Sequence, residues 1–280
     1  MGESGCGKST TARLLIHLLH ADAGDIRIDG RSVDFSSAES VRGLRRQVQM
    51  VFQDSYATLN PRLTIEDSIV FGLRANEMPR RAAVEQARET LGMVGLSPSM
   101  FAQRYPHELS GGQRQRVNIA RALALHPRLA ILDEAVSALD KSVEAQVLNL
   151  LQDLKAKLKL TYLFISHDLN VVQYISDRVL VMYLGTVVEI GPVHAIYQTP
   201  RHPYTRALLA SRLSMDPKRR VSNPPLTGDP PNPIQLQQGC RFRKRCPIAE
   251  KICSEKEPVL SARDGGHLVA CHASSGRGLA

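Results

Sequence analysis

The sequence predicts an α/β fold with a mainly parallel sheet and helices on both faces, and two observations support that prediction. A glycine-rich stretch at residues 2–9 runs into an amphipathic helix at residues 8–20. Further along the sequence, a helix at residues 141–158 lies between two hydrophobic strands, at residues 129–132 and 160–166. Strands joined by a helix pair in parallel, and the loops at their carboxyl ends then form the ligand site.

Periodicity and turn residues place the other elements. Alternating apolar and polar residues predict strands at residues 25–31, which turn at an Asp-Gly pair, and at residues 46–52. Helical spacing covers about residues 64–105 and 113–125. The same patterns predict short helices and strands at residues 169–175, 178–183, 186–190, 194–198 and 204–211.

Composition is ordinary for a globular protein of 280 residues, with 43% hydrophobic and 22% charged residues. No apolar run reaches the roughly 18 residues that span a bilayer, and the first residues do not resemble a signal peptide, so we expect a cytoplasmic protein. The net charge is +9, and the basic residues are spread out except for clusters at residues 42–46, 218–220 and 241–245. This distribution favours a solvated surface over a nucleic-acid site.

Residues 2–9 fit the phosphate-loop pattern G-x-x-x-x-G-K-[ST]. Glycines let successive amides surround an anion, and the following helix adds its positive end. Lys8 would then reach the outer phosphates and the Ser9 hydroxyl would bind Mg²⁺. The alternative is a glycine-rich turn that fits the pattern by chance. The predicted nucleotide-binding residues are Gly2, Glu3, Ser4, Gly5, Cys6, Gly7, Lys8, Ser9 and Thr10.

Polar side chains follow the predicted strands at their carboxyl ends. Asp133 can hold Mg²⁺, and Glu134 can orient or deprotonate an attacking water. His167 can contact the γ-phosphate or that water, and Gln53 offers a neutral oxygen to Mg²⁺ or the water. Alone, each has a structural alternative, such as a helix cap for the Asp-Glu pair. Together with the phosphate loop they indicate a nucleotide-hydrolysing site.

Residues 109–113, Leu-Ser-Gly-Gly-Gln, lie between the phosphate loop and Asp133-Glu134 and resemble the signature of ABC-type ATPases. The resemblance implies a P-loop ABC-type ATPase core with a helical signature subdomain. By that resemblance, residues 2–9 are the Walker A loop and residues 129–133 are Walker B. Gln53 is the Q-loop glutamine, and Glu134 is the catalytic carboxylate. Residues 137–140, with Asp140, are the D-loop, and His167 is the switch histidine.

The family mechanism places two ATP molecules between two such subunits, identical or homologous. Ser110, Gly111, Gly112 and Gln113 of one subunit would bind the γ-phosphate of ATP held by the phosphate loop of the other. Closure of this dimer would move the membrane subunits, and hydrolysis would reset it.

Three further segments, residues 56–61, 105–108 and 202–209, resemble the peptide/nickel importer family, which takes up oligopeptides, dipeptides, glutathione and nickel. The resemblance implies a peripheral ATP-binding subunit on the cytoplasmic face of the plasma membrane. It would act with two integral-membrane permease subunits and, indirectly, with an extracytoplasmic solute-binding protein, and with no nucleic acid. Ala135 departs from the proline usual after the catalytic glutamate.

Four of the five cysteines, Cys240, Cys246, Cys253 and Cys271, are spaced C-x5-C-x6-C-x17-C. Clustered thiols in a cytoplasmic chain indicate metal before disulfide, and they suit zinc or an iron–sulfur cluster. The pattern lacks the tight C-x2-C pairs of most zinc ribbons. Family resemblance favours a [4Fe–4S] cluster with a structural role, while Zn²⁺ and free thiols stay open.

The domain prediction is an ABC ATPase domain at residues 1–192, with its helical subdomain at about 54–125. A linker with short helices follows at 193–238, then a cysteine module at 239–273 and a disordered tail at 274–280. The resemblance also implies that this sequence lacks the usual segment before Walker A. Two alternatives to an importer subunit remain: a soluble ABC ATPase outside transport, and an inactive truncated fragment.

Overall fold

A computed structural model describes residues 1–211, 238–262 and 264–273. The chain divides into two compact units. We call Ser9–Ser166 the central unit, and Met1–Lys8 together with His167–Ala280 the terminal unit. The predicted tail at residues 274–280 and most of the predicted linker lie outside the described residues.

The central unit is built on a parallel sheet, as predicted. Among the described residues, three strands pair in the order β3-β4-β5, and β4 is the buried middle strand. The elements in chain order are α1 (Lys8–Leu15), β1 (Arg27–Ile28), β2 (Arg31–Ser32), α2 (Ala38–Gln47), β3 (Val48–Val51), α3 (Ile65–Ala75), α4 (Arg80–Met93), α5 (Pro98–Phe101), α6 (Gly111–Leu123), β4 (Leu129–Asp133), α7 (Lys141–Leu158) and β5 (Thr161–Ile165).

Helix α1 is shorter than predicted and ends at Leu15. The chain leaves the helix through His17, whose φ is +54°, while the Leu18 amide donates to the Arg13 carbonyl at 2.9 Å. This left-handed residue with a six-to-one hydrogen bond is a common helix-ending motif. The leucines beyond it therefore do not continue the helical face.

The terminal unit contains an antiparallel sheet in the order β6-β7-β9-β8 among its described residues. Its core packs Tyr183, Tyr204 and Phe242 together, and each is at most 2% exposed. Strand β9 pairs with β7, so residues of the predicted cysteine module extend the predicted hairpin. The elements are α8 (Leu169–Ile175), β6 (Arg178–Tyr183), β7 (Thr186–Pro192), α9 (Val193–Gln198), α10 (Pro203–Ala210), α11 (Ile252–Glu255), β8 (Ser261–Ala262) and β9 (Leu268–Val269).

Within the described part of the chain, no helix combines the length and hydropathy needed to cross a bilayer.

Candidate functional site

The phosphate loop begins in the terminal unit with three glycines in backbone conformations that other residues rarely adopt. Their φ angles are +150° for Gly2, +76° for Gly5 and +99° for Gly7. A side chain on Gly2 would also overlap the carbonyl oxygen of Met182. Glycine is therefore required twice over at this position, for its conformation and for the close approach of β6.

Hydrogen bonds of Lys8 and Cys6 fix the shape and position of this loop. The buried Lys8 ammonium donates to the carbonyl oxygens of Gly2 at 2.8 Å and Glu3 at 2.9 Å. The Cys6 carbonyl accepts from the Gly185 amide at 2.9 Å, which ties the loop to the turn between β6 and β7. The loop is thus a fixed turn that carries a cation, which is what an anion-binding loop needs.

Ser9 and Asp133 meet in the central unit. The Ser9 hydroxyl donates to Asp133 Oδ1 at 2.9 Å, and Asp133 is 3% exposed at the end of β4. A hydroxyl and a carboxylate are the oxygen ligands that Mg²⁺ takes in phosphate-loop proteins. The chemistry of these two side chains fits a magnesium site.

Gln53 and Glu134 form a second pair in the same unit. The Gln53 amide donates to Glu134 Oε2 at 2.8 Å. Glu134 has a φ of +49°, and its amide donates to the Ile165 carbonyl of β5 at 2.9 Å. The Glu134 backbone is therefore fixed to β5, and its carboxylate is held by Gln53.

The signature residues begin helix α6. Ser110 caps it: its hydroxyl accepts from the Gln113 amide at 3.3 Å, and Gln113 Oε1 accepts from the Ser110 amide at 2.9 Å. A side chain on Gly112 would overlap Val143 of α7. Such a capped, glycine-lined helix start can present its amides to an anion.

A cavity of about 620 Å³ in the central unit brings together three of the predicted motifs. Its lining includes Gln53, Gly111 and the residues before the D-loop aspartate, from Ser137 to Leu139. Asp140 follows as the residue before α7. His167 is exposed and belongs to the terminal unit, in the segment before α8.

None of the five cysteines, all of which the structure describes, is in a disulfide bond. The pKa of Cys246 is raised to about 11, mainly by burial and in smaller part by the nearby thiols of Cys271, Cys240 and Cys253. The four thiols therefore lie in one neighbourhood. Among the described residues, however, no group of three or more His, Cys, Asp or Glu side chains is arranged to hold a metal ion. The geometry thus gives no support to a bound metal at these cysteines.

Two residues that contact the phosphate loop were not among the predicted site residues. Tyr204 accepts the Glu3 amide at 2.8 Å, and the Arg245 guanidinium pairs with the Glu3 carboxylate. Arg245 belongs to the basic cluster at residues 241–245, which we interpreted as solvated, yet its side chain is only 7% exposed. The available sequence signals were the basic cluster for Arg245 and the segment at residues 202–209 for Tyr204.

The fold and these pairs define a phosphate-loop nucleotide-binding protein. Comparison with known proteins agrees: the family described as "ABC transporter" matches residues 1–137, and "Oligopeptide/dipeptide transporter, C-terminal region" matches residues 188–253. Among solved structures, cbiO1 of Clostridium perfringens, part of the ABC transporter complex cbiONQ, superposes with a TM-score of 0.65 at 28% identity. That match covers 71% of this chain and 78% of cbiO1.

Relatives by sequence are more specific. The probable peptide ABC transporter ATP-binding protein y4tS of Sinorhizobium fredii is 50% identical over 97% of this chain and 77% of its own. The oligopeptide transport ATP-binding protein AppF of Bacillus subtilis is 49% identical and the di/tripeptide transport protein DppF of Pseudomonas aeruginosa 46%, each over 97% of this chain and 84% of its own. The chain belongs to the ATP-binding proteins of this ABC transporter family and is an ATPase by that membership.

Proposed function

We propose that this chain binds and hydrolyses ATP to energise the import of peptides or related small solutes. The observation that carries the proposal is the identity of 46–50%, over 97% of the chain, to ATP-binding proteins named for peptide transport. The geometry of the phosphate loop and of the Ser9–Asp133 pair supports the nucleotide part.

Residue roles follow from chemistry and position. Residues 2–10 bind the triphosphate, and Lys8 neutralises the outer phosphates. Ser9, Asp133 and Gln53 would hold Mg²⁺, which would supply positive charge to stabilise the phosphates during transfer. Glu134 orients and deprotonates the attacking water, and His167 contacts the γ-phosphate. The hydrogen bond from Gln53 to Glu134 supports these roles, because it links a proposed magnesium ligand to the proposed base.

We also propose a dimer with an identical or homologous subunit. Residues 110–113 of one subunit would close over ATP on the other, with the Asp140 segment at the same interface. The dimer would work on the cytoplasmic face of the plasma membrane with two permease subunits, and a solute-binding protein outside the membrane would deliver the substrate. Support comes from the capped glycine helix start, whose amides suit a γ-phosphate.

The direct test is ATP turnover by the purified chain and its variants. Glu134→Gln should lower kcat by about 10²–10⁴-fold because it removes the general base, while nucleotide affinity stays near wild type. Lys8→Ala should instead weaken ATP binding. A wild-type chain that binds but hydrolyses no ATP would favour the inactive-fragment alternative.

Purification with a membrane permease separates the importer from a soluble ABC ATPase, which would copurify with none.

For the cysteine segment, residues 239–273, we propose that Cys240, Cys246, Cys253 and Cys271 hold a [4Fe–4S] cluster, with Zn²⁺ as the alternative. The spacing of the four cysteines in the sequence supports this proposal. Anaerobic purification followed by iron, sulfide and zinc analysis decides it. A metal-free protein with four alkylatable thiols would overturn both versions.

A further inference from the structure

The cysteine segment contacts the phosphate loop directly through an ion pair between Arg245 and Glu3. The two guanidinium nitrogens of Arg245 lie 2.9 and 3.1 Å from the two carboxylate oxygens of Glu3. The side chains are 7% and 23% exposed, and the residues are 242 positions apart in the chain. Shielded bidentate pairs of this kind are the strong and geometrically specific ones.

A second contact holds the same loop residue by its backbone. The Tyr204 hydroxyl accepts the Glu3 amide at 2.8 Å. The Tyr204 ring packs against Tyr183, with ring centres 4.7 Å apart, and against Phe242 of the cysteine segment at 5.5 Å. Phe242 is itself buried, at 2% exposed, and so holds the Tyr204 ring in place. The cysteine segment therefore helps to position the hydroxyl that accepts the hydrogen bond from the Glu3 amide.

A third contact reaches the middle of the loop. Arg241 donates to the carbonyl of Leu184, at the turn between β6 and β7. The next residue of that turn, Gly185, donates its amide to the Cys6 carbonyl at 2.9 Å. Arg241 and Arg245 therefore restrain the phosphate loop near Cys6 and Glu3, respectively.

We propose that Arg245 is a positioning residue for the phosphate loop, and that Arg245, Arg241 and Phe242 together hold the loop in its nucleotide-binding shape. This inference rests on the proposed ATP site. An anion cradle made of backbone amides binds well only if those amides already point inward, because otherwise binding must supply the ordering free energy. Arg245 acts through Glu3, whose carboxylate and amide are both held, and is not expected to contact the nucleotide.

The test uses the full chain with four variants: Arg245→Gln, Arg245→Lys, Glu3→Gln and the Arg245→Gln/Glu3→Gln double variant. We expect Arg245→Gln to raise the Kd of a fluorescent ATP analogue and the KM for ATP by about tenfold, with kcat within about twofold. Arg245→Lys should lie between, because an ammonium cannot reproduce the bidentate contact. The double variant should be no weaker than either single one, since both remove the same ion pair.

Lys244→Gln is the matched control, because it removes an exposed positive charge one residue away. It should leave Kd and KM unchanged. Should Arg245→Gln fail to fold, Glu3→Gln tests the same ion pair without altering the cysteine segment. Both Arg245→Gln and Glu3→Gln could lower the melting temperature while Kd and KM stay at their wild-type values. That result would mean that the ion pair only stabilises the folded cysteine segment, and the inference would be overturned. A wild-type chain that binds no ATP contradicts the proposed function instead.

Discussion

At the scale of single residues, the terminal unit shows how a buried charge is compensated. Glu189 is fully buried on β7, yet its carboxylate accepts from the backbone amides of Arg201 at 2.7 Å and His202 at 3.1 Å. It also lies 2.7 Å from His267 Nε2. These contacts replace the water that a carboxylate loses on burial, which would otherwise make this position costly.

Truncating Glu189 should therefore destabilise the fold. Glu189→Ala leaves two amides and a histidine without their acceptor, so we expect a loss of about 3 kcal/mol in the free energy of unfolding. Urea unfolding followed by circular dichroism measures it. Glu250→Ala, at an exposed position of the same unit, should change stability by less than about 0.5 kcal/mol. Equal effects of the two changes would contradict this account.

His202 gives the protein a defined response to acid. Burial lowers its pKa to about 4, whereas an unfolded histidine titrates near about 6.5. Between these values the unfolded chain binds a proton that the folded chain refuses, so stability rises with pH and is lost as pH falls below about 6.5. The loss should approach about 3 kcal/mol near pH 4.

Unfolding free energies measured from pH 7 to pH 4 on wild type and His202→Asn test this response. His202 caps α10 by accepting from the Tyr204 amide at 3.1 Å, and an asparagine oxygen can take over that bond without titrating. The variant should lose stability less steeply over this range. Parallel curves for the two proteins would show that another group causes the slope.

At the scale of elements, the start of α6 packs so tightly on α7 that two neighbouring glycines are not equivalent. A methyl group on Gly112 would overlap Val143, whereas one on Gly111 would sit at an ordinary 3.8 Å from Leu139. The signature glycine at position 112 thus has a packing role as well as its proposed role toward ATP.

Gly112→Ala should cost about 1–3 kcal/mol of stability through overpacking, and Gly111→Ala should be neutral or slightly stabilising. Thermal unfolding compares the two. Adding Val143→Ala to Gly112→Ala should restore part of the loss, because it removes the overlapping methyl groups. No recovery in the double variant would mean that the cost arises elsewhere.

The elements that the sequence predicted well are those set by local pattern. The apolar runs of β4 and β5 predicted a parallel sheet, and Asp29-Gly30 predicted the turn of the β1–β2 hairpin, where both residues have positive φ. Helix α2 was missed because it is strongly polar and buries only Leu44. Local signals for it were Ser37, which caps it, and its amphipathic pattern.

The site residues likewise divide into contacts that local sequence patterns predict and contacts that only the tertiary structure determines. The pairs Ser9–Asp133 and Gln53–Glu134 could be anticipated, because motif residues at strand ends converge on one edge of a sheet. The contact of Arg245 with Glu3 could not be anticipated, since no local pattern reports a pairing over 242 positions. Burial of an arginine is likewise decided by its tertiary partner.

At the scale of the whole molecule, nucleotide binding should stabilise the folded chain by mass action. At 100 times its Kd, ATP with Mg²⁺ should add about 2.7 kcal/mol, a rise of several degrees in melting temperature. Lys8→Ala should abolish the rise. Ser9→Ala should retain the part seen with ATP and EDTA and lose the part that Mg²⁺ adds. A wild-type melting temperature insensitive to ATP would contradict the proposed site.

The hydrogen bond from Gly185 to Cys6 provides the protein with an intrinsic spectroscopic reporter. A chain grown with ¹⁵N-labelled glycine would show the Gly185 amide as one cross-peak, whose chemical shift depends on the length of its bond to the Cys6 carbonyl. Titrating nucleotide into that sample would follow the phosphate loop from a turn that has no place in the chemistry. The occupancy of the loop can thus be read without a dye, a tag or a catalytic assay.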